Sequence, residues 1–262
     1  MELRSLAWRT DLALLRAAGS EVEDRGDHLV VRTPRNPGFY WGNFLLLDAP
    51  AGPDDVPDWL RAFERDFPEA EHRTFGVDGT EGSVDDLAPF RAAAMGVEAS
   101  TVMTARAVHE PAHPNSEATI RPLATDDDWA QQVEMVLTDE DLHGGRVFAT
   151  RRAAAERSLV DRGLGQWFGA FLEGRLAASL GLFVASDGLA RYQGVMTHPD
   201  HRGVGLCGTL FHHAGRYGLD ELGVHTLVVV ADPDYLAIRI YRSVGFTGTE
   251  TQLQAARVPT TR

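Results

Sequence analysis

The residues whose types and spacing invite chemistry stand together in one run: Thr197, His198, Pro199, Asp200, His201, Arg202, Gly203, Val204, Gly205, Leu206, Cys207, Gly208, Thr209 and Leu210. An extended stretch over residues 191–197 leads into the run, and a helical pattern follows it. Glycines packed this tightly at a strand-to-helix turn expose successive backbone N–H groups. The helix dipole adds positive potential at the same place. Such a turn can hold a diphosphate without any lysine. The chain has no lysine, since all 25 basic residues are arginine, which excludes a Walker A lysine and a Schiff-base lysine for pyridoxal phosphate.

The run also satisfies a second pattern. Gly203, Gly205 and Gly208 match the glycine spacing of a dinucleotide-binding turn. In that unit the strand runs straight into the first glycine, whereas here residues 198–202 intervene. Too few residues remain beyond the turn for several more strand–helix–strand units, so a nicotinamide or flavin site is not expected. Metal is not expected either: His198, His201, His212, His213, His109 and His113 form no zinc-type spacing. Cys207 is the single cysteine, so no intrachain disulfide is possible. At a helix N-terminus its thiol is expected to have a lowered pKa; the other reading is a small residue tolerated at a tight turn.

A second block lies some 30 residues on: Asp234, then Tyr241, then Gly245 and Phe246. Seven residues make about two helical turns, so a helix over 234–244 would place Asp234 and Tyr241 on one face. Together the two blocks resemble the GNAT superfamily of acyl-CoA-dependent N-acetyltransferases. Its signature is Gln or Arg, two residues, Gly, one residue, then Gly or Ala. Arg202 and Gly205 fill the first two defined places, and Cys207 stands where Gly or Ala is usual. The resemblance implies acetyl-CoA as donor, its diphosphate facing the amides of Gly203, Val204, Gly205, Leu206, Cys207 and Gly208. It implies that the backbone of Val195, Met196 and Thr197 pairs with the pantetheine arm like an added strand. Gly205, having no side chain, would let the phosphate approach closely. Tyr241 would lie near the CoA sulfur and give a proton to the departing thiolate; alternatively it is an aromatic filling the gap between helix and sheet. No general base is evident. Gln193 occupies the strand position where many family members have a glutamate, and an amide can only orient a water. Glu134, Asp139, Glu140, Asp141 and His143, in the first helix of the second domain and its following loop, are the other candidates.

Around these blocks the pattern of elements reads as two domains. Residues 1–110 alternate helix and strand: a helix at 3–18, strands at 28–32 and 39–47, a helix at 58–67, a strand at 72–77, a helix at 84–95 and a strand at 100–108. Residues 111–117, with Pro111 and Pro114 and no periodicity, read as a linker. Residues 118–255 follow in the order β-α-α-β-β-β-α-β-α-β, with a hairpin about Glu173 and Gly174 and Thr125 as N-cap of the first helix. That is the order of the GNAT fold. The expectation is an α/β protein of the mixed-sheet α+β kind, with a GNAT fold in the C-terminal half and a smaller α+β domain before it. Residues 90–98 weakly echo residues 240–247, both helix, glycine, strand. The first domain is therefore either a degenerate GNAT-like copy, as in tandem members, or an unrelated α+β domain.

Of 262 residues, 38 are acidic, giving a formal net charge of −13. Nucleic acid would not be drawn to such a chain, and cationic small substrates would be. No apolar stretch approaches the ~20 residues of a membrane helix, and no secretory signal is evident, so a cytoplasmic protein is expected. The function expected is acetyl transfer from acetyl-CoA to an amine of a small molecule, by direct attack, in a monomer or homodimer. Two alternatives stay open: an acyl-CoA-binding sensor or scaffold without catalysis, and acetylation of a protein amine.

Overall fold

The computed structural model describes residues 1–139, 142, 144–186 and 188–259. Glu140, Asp141 and His143 lie outside the described residues. In chain order the elements are α1 (Leu6–Ala17), β1 (Glu21–Asp24), β2 (His28–Arg32), β3 (Phe44–Leu47), α2 (Val56–Asp66), β4 (Arg73–Val77), α3 (Ala88–Ala92), β5 (Gly96–Ala105), β6 (Thr119–Pro122), α4 (Asp126–Val136), α5 (Gly145–Asp161), β7 (Gly165–Leu172), β8 (Arg175–Ser186), β9 (Leu189–Thr197), α6 (Leu206–Asp220), β10 (Thr226–Ala231), α7 (Ala237–Ser243) and β11 (Thr247–Arg257).

Two compact units result: Met1–Val102 together with the chain from Thr249, and Met103–Gly248. This division differs from boundaries at 110 and 118. The proline-rich segment 111–117 lies inside the second unit, and most of the last strand belongs to the first. The reason is pairing: β11 runs antiparallel to β4, from Leu253 opposite Val77 to Arg257 opposite Arg73.

In the first unit β1, β2 and β3 form an antiparallel meander, and β3 then pairs with β4 in parallel through the α2 crossover. Side chains alternate across the sheet with period two. Leu29, Val31, Phe44 and Leu46 meet Trp8 and Leu12 of α1 on one face. Val30, Leu45, Leu47, Phe75 and Val77 meet Phe63 of α2 and Phe90 of α3 on the other. Two expected elements are shorter than the pattern suggests. The strand at 39–47 begins only at Phe44, because Asn43 breaks the run: its side chain accepts from Thr33 N and donates to Asn36 and Phe39 carbonyls. The helix at 84–95 splits into a 3-10 turn at Val84–Leu87 and the single-turn α3, which starts with Pro89 in its first turn.

The second unit repeats the same plan on a larger scale. β7, β8 and β9 form the antiparallel meander, and β9 pairs with β10 in parallel through α6. Glu173 (φ +49°) and Gly174 (φ +78°) both take the left-handed backbone that a two-residue hairpin turn requires. Thr125 caps α4 in a reciprocal box with Asp128, whose carboxylate also takes both guanidinium arms of Arg121 at 2.7 and 2.8 Å. One face of the meander carries Phe168, Ala170, Leu180, Leu182 and Tyr192 against Leu210, Phe211 and Ala214 of α6. The other face carries Trp167 and Phe183, with Trp129 of α4 beside Trp167.

Candidate functional site

The site begins where two parallel strands part. β9 and β10 are paired only from Leu189 opposite Thr226 to Arg191 opposite Val228. Beyond that point residues 192–197 of β9 keep their partner β8 on one edge and are no longer paired with β10 on the other. Val195, Met196 and Thr197 therefore present a main-chain edge toward an opening between strands. A bulge sharpens the divergence: Ser179 and Gly181 of β8 face Met196 and Gln193, so β9 carries one residue more than its partner. Gly194 sits in that bulge with φ +53°, and a Cβ there would lie 2.8 Å from the Trp167 ring.

At the end of β9 the chain makes a 3-10 turn at Pro199–His201 and enters α6 through Gly203 (φ +79°) and Gly205 (φ +82°). The first bond of α6 runs from Thr209 N to Gly205 O. The amides of Gly203, Val204, Gly205, Leu206, Cys207 and Gly208 have no acceptor among the described residues. Six successive free donors at the positive end of a helix dipole make an anion cradle. Arg202 is exposed beside it, its Nε donating to Thr197 O at 3.3 Å.

The expected linker is part of this turn. Asn115 N donates to Thr209 Oγ1 at 2.8 Å, and Asn115 Nδ2 donates to Val204 O at 2.9 Å. A Cβ on Gly205 would lie 2.5 Å from His113 O, and one on Gly208 would lie 3.3 Å from Pro111. Gly205 thus has a reason to be glycine apart from the expected approach of a phosphate: the strap at 111–115 fills the place of a side chain, and the positive φ adds to the requirement. Gly203, by contrast, has open space where a Cβ would go.

An aromatic stack ties the parting strands to α7. Tyr192, the first residue of β9 beyond its pairing with β10, stacks on Phe211 of α6 at 4.0 Å, and Phe211 stacks on Tyr241 of α7 at 4.4 Å. The Tyr192 hydroxyl donates to Phe211 O at 2.8 Å. Tyr241 is buried, and its hydroxyl has no hydrogen-bond partner among the described residues. Burial pushes its phenol above the ordinary value, with contributions from the Cys207 thiol and Tyr235. Two expectations are corrected here. Burial pushes the Cys207 thiol up to about 11, so desolvation overrides the helix terminus that was expected to lower it. The helix expected from Asp234 begins only at Ala237, and Asp234 stands exposed in the preceding turn, where its N–H caps on Asp232. Asp234 and Tyr241 therefore share no helix face.

On the opposite face of β9, Gln193 stands half-buried opposite Gly181. Glu134 is exposed and ion-paired with Arg146, whose hydrogen bond holds its carboxyl below the ordinary value, making it a poorer base. Asp139 sits in the turn following α4. The carboxylate that the sequence pattern hid is Glu156 of α5. Its side chain is 14% exposed and takes Arg152 Nε at 2.8 Å, and burial raises its pKa despite that pairing. Arg152 Nη2 in turn would lie 3.9 Å from a Cβ on Gly194, at the β9 bulge. In sequence, Arg152 and Glu156 read as a solvated i,i+4 pair; only the packing of α5 distinguishes them. Among the described residues no group of three or more His, Cys, Asp or Glu could hold a metal ion, and no helix is long and apolar enough to cross a membrane.

Residues 130–246 match the model of the acetyltransferase (GNAT) family. No curated protein matches the chain. Solved structures with the same fold include a GCN5-related N-acetyltransferase from Kribbella flavida, at 15% identity and TM-score 0.68, covering 98% of this chain and 97% of that one. A GCN5-related N-acetyltransferase from Sphaerobacter thermophilus is similar at 15% identity and TM-score 0.59, covering 98% and 94%. A tandem GNAT protein from the clavulanic acid biosynthesis pathway is similar at 16% identity and TM-score 0.56, covering 96% and 89%. At these identities the likeness establishes fold, and it extends over nearly the whole chain. The chain carries, at residues 130–246, an acetyltransferase domain of the GNAT family.

Proposed function

We propose that the second unit transfers an acetyl group from acetyl-CoA to the amine of a small molecule by direct attack. The observation that carries this reading is the parting of β9 from β10 directly before a turn with six free amides. The residues present fit such a donor. Residues 203–208 would hold its diphosphate through N–H groups, with Arg202 beside them. Val195, Met196 and Thr197 would offer main-chain partners to the pantetheine arm. The bound thioester supplies an activated acyl group. Tyr241, kept protonated by its burial, would hold a proton for the leaving sulfur. Cys207 is not needed as a nucleophile in direct transfer, and its raised pKa makes it a poor one.

The base favoured by this geometry is Glu156. A general base works best with a pKa moved toward the operating pH, and burial moves this carboxyl in that direction. It is expected to accept a proton from the acceptor ammonium, directly or through water. The first unit is read as a degenerate copy of the second, since each has an antiparallel meander followed by a parallel strand through one helix. A tandem GNAT protein with the same fold over 96% of the chain supports this.

Titration calorimetry with acetyl-CoA, with NADH as control, tests the donor site. Micromolar binding of acetyl-CoA alone supports the reading, and no binding sinks it. Screening amines for thiol release then separates an enzyme from an acyl-CoA-binding sensor, which would bind the donor and release no thiol with any amine. A protein-amine acetyltransferase would release thiol with peptides and not with small amines.

A further inference from the structure

The anion cradle of the second unit is braced from behind by the strap at 111–115. Glycines make a turn permissive, and a permissive turn does not by itself hold its amides in one direction. Val204 and Gly205 share one peptide unit, Gly205 and Leu206 the next, and no peptide bond among the described residues is cis. Across a trans peptide the C=O and the following N–H point in opposite directions. Whatever fixes the oxygen of such a unit therefore aims its amide the other way.

Both oxygens are fixed. Val204 O takes Asn115 Nδ2 at 2.9 Å, so the Gly205 N–H points away from the strap. Gly205 O takes the Thr209 hydroxyl at 2.9 Å, so the Leu206 N–H points out of the helix end. That hydroxyl is itself held, because its proton goes to Gly205 O while its oxygen accepts from Asn115 N at 2.8 Å. One chain of hydrogen bonds thus runs from the Asn115 main chain through Thr209 to the turn. The direction of the Asn115 amide follows from its other end. Oδ1 accepts from Glu117 N at 3.0 Å and from Ala118 N at 2.8 Å, which leaves Nδ2 to face Val204. The strap is also stiff: Pro111 and Pro114 fix φ on either side of His113, whose carbonyl occupies the place of a Gly205 side chain.

We infer that Asn115, with Thr209 as its relay, is a positioning residue for the acyl donor. It holds the Gly205 and Leu206 amides toward the diphosphate before the donor arrives. Without it the Val204–Gly205 peptide is free to turn over and present its carbonyl to the anion, and the cost of ordering the turn falls on binding. This inference rests on the reading of the cradle as the donor site.

The test compares two ligands. Acetyl-CoA is titrated calorimetrically into the full chain. S-acetylpantetheine, which has the thioester and the pantetheine arm but no diphosphate, is followed by ligand-observed NMR at millimolar concentration. Asn115→Ala is expected to weaken acetyl-CoA at least about five-fold, and Thr209→Val, which keeps the shape and removes the hydroxyl, at least about three-fold. Thr209→Ser keeps the hydroxyl and is expected to bind within about twofold of the unaltered chain, as is Ser116→Ala at an exposed position of the same segment. S-acetylpantetheine is expected to bind every variant within about twofold. The Thr209 pair decides the matter even where Asn115→Ala folds poorly. Equal losses of the two ligands mean a general distortion and overturn the inference. Acetyl-CoA binding that both Asn115→Ala and Thr209→Val leave unchanged also overturns it, with the donor site still standing. No binding of acetyl-CoA to the unaltered chain overturns the donor site, and the inference falls with it.

Discussion

Replacing Tyr241 by Phe isolates one hydroxyl. The ring stacks on Phe211 at 4.4 Å with 20° between planes, and phenylalanine keeps that contact. The hydroxyl has no protein partner among the described residues, so its removal breaks no hydrogen bond and stability is expected to change by less than about 0.5 kcal/mol. Catalysis is a different matter. A phenol near its ordinary pKa of about 10 already gives a proton to a thiolate of pKa about 8.5 uphill by about 2 kcal/mol. Burial raises the phenol further. Tyr241 is therefore suited to hold a hydrogen bond to the sulfur and pass its proton only as the C–S bond breaks. Loss of such an acid slows turnover by about 10²–10⁴, or about 2.7–5.5 kcal/mol of barrier. The assay follows thiol release with a coloured disulfide reagent, once an acceptor amine has been found, with acetyl-CoA affinity measured separately by calorimetry. The expected result is a fall in kcat of at least a hundredfold with donor affinity within twofold. A variant that turns over within threefold of the unaltered protein would refute the acid role and leave Tyr241 as the end of an aromatic stack.

Gly205→Ala meets both a φ of +82° and the His113 carbonyl, and should cost about 1–3 kcal/mol in denaturant unfolding, with the strap displaced. Gly203→Ala meets only its φ of +79° and should cost no more than about 1–2 kcal/mol; equal losses at the two sites would count against the strap. Glu156→Gln should lower kcat and remove the acid limb of the pH–rate profile, a limb that lies above the ordinary carboxylate range because burial raises this pKa; an unchanged profile excludes it as base. Asp128→Asn loses a charged pair whose arginine is partly exposed, so about 1–2 kcal/mol is expected at pH 7. The Arg121 guanidinium holds the Asp128 carboxyl well below its ordinary value, so its contribution is full above its unfolded pKa of about 3.9 and is lost as pH falls through the lower folded one. The gap between the two proteins should therefore narrow in acid, and a gap independent of pH would refute the charged pairing. Cys207, with its thiol pushed up to about 11, should react with iodoacetamide at pH 7.5 at least about a hundredfold more slowly than a free thiol of pKa 8.5; rapid labelling of the folded chain would contradict its burial.

The glycine turn was legible because its cause is local. Positive φ at Gly203 and Gly205, and a helix beginning one residue later, follow from residues adjacent in sequence. The same holds for the hairpin at Glu173 and Gly174 and for the Thr125 cap. What stayed hidden depends on residues far apart. Pro111 and Pro114 lack periodicity, so the segment containing them reads as a linker, yet Asn115 binds Val204 and Thr209 almost a hundred positions away. Tyr192 and Phe211 look like core aromatics until their stack leads to Tyr241. Asp234 and Tyr241 have helical spacing, but Pro233 and the Asp232 cap hold the intervening turn out of the helix. Membership of the last strand is equally non-local, because its partner β4 lies near the other end of the chain.

The repeated plan of the two units makes their difference informative. In the second unit β9 runs six residues past its last pairing with β10, and those residues form the open edge. In the first unit β3 is only four residues long, and all of its parallel pairing is kept to the end: Leu47 lies opposite Val77, and Asp78 N then donates to Leu47 O at 2.8 Å. No main-chain edge opens there. The crossover helix that follows begins among Asp54, Asp55 and Asp58, where an anion is repelled rather than cradled. Strand length and the charge of one helical turn thus separate the two units more sharply than their topology joins them. On the proposed reading a donor carrying a diphosphate has its place in the second unit, and the equivalent place in the first unit lacks both the open edge and the uncharged helix end that would receive it.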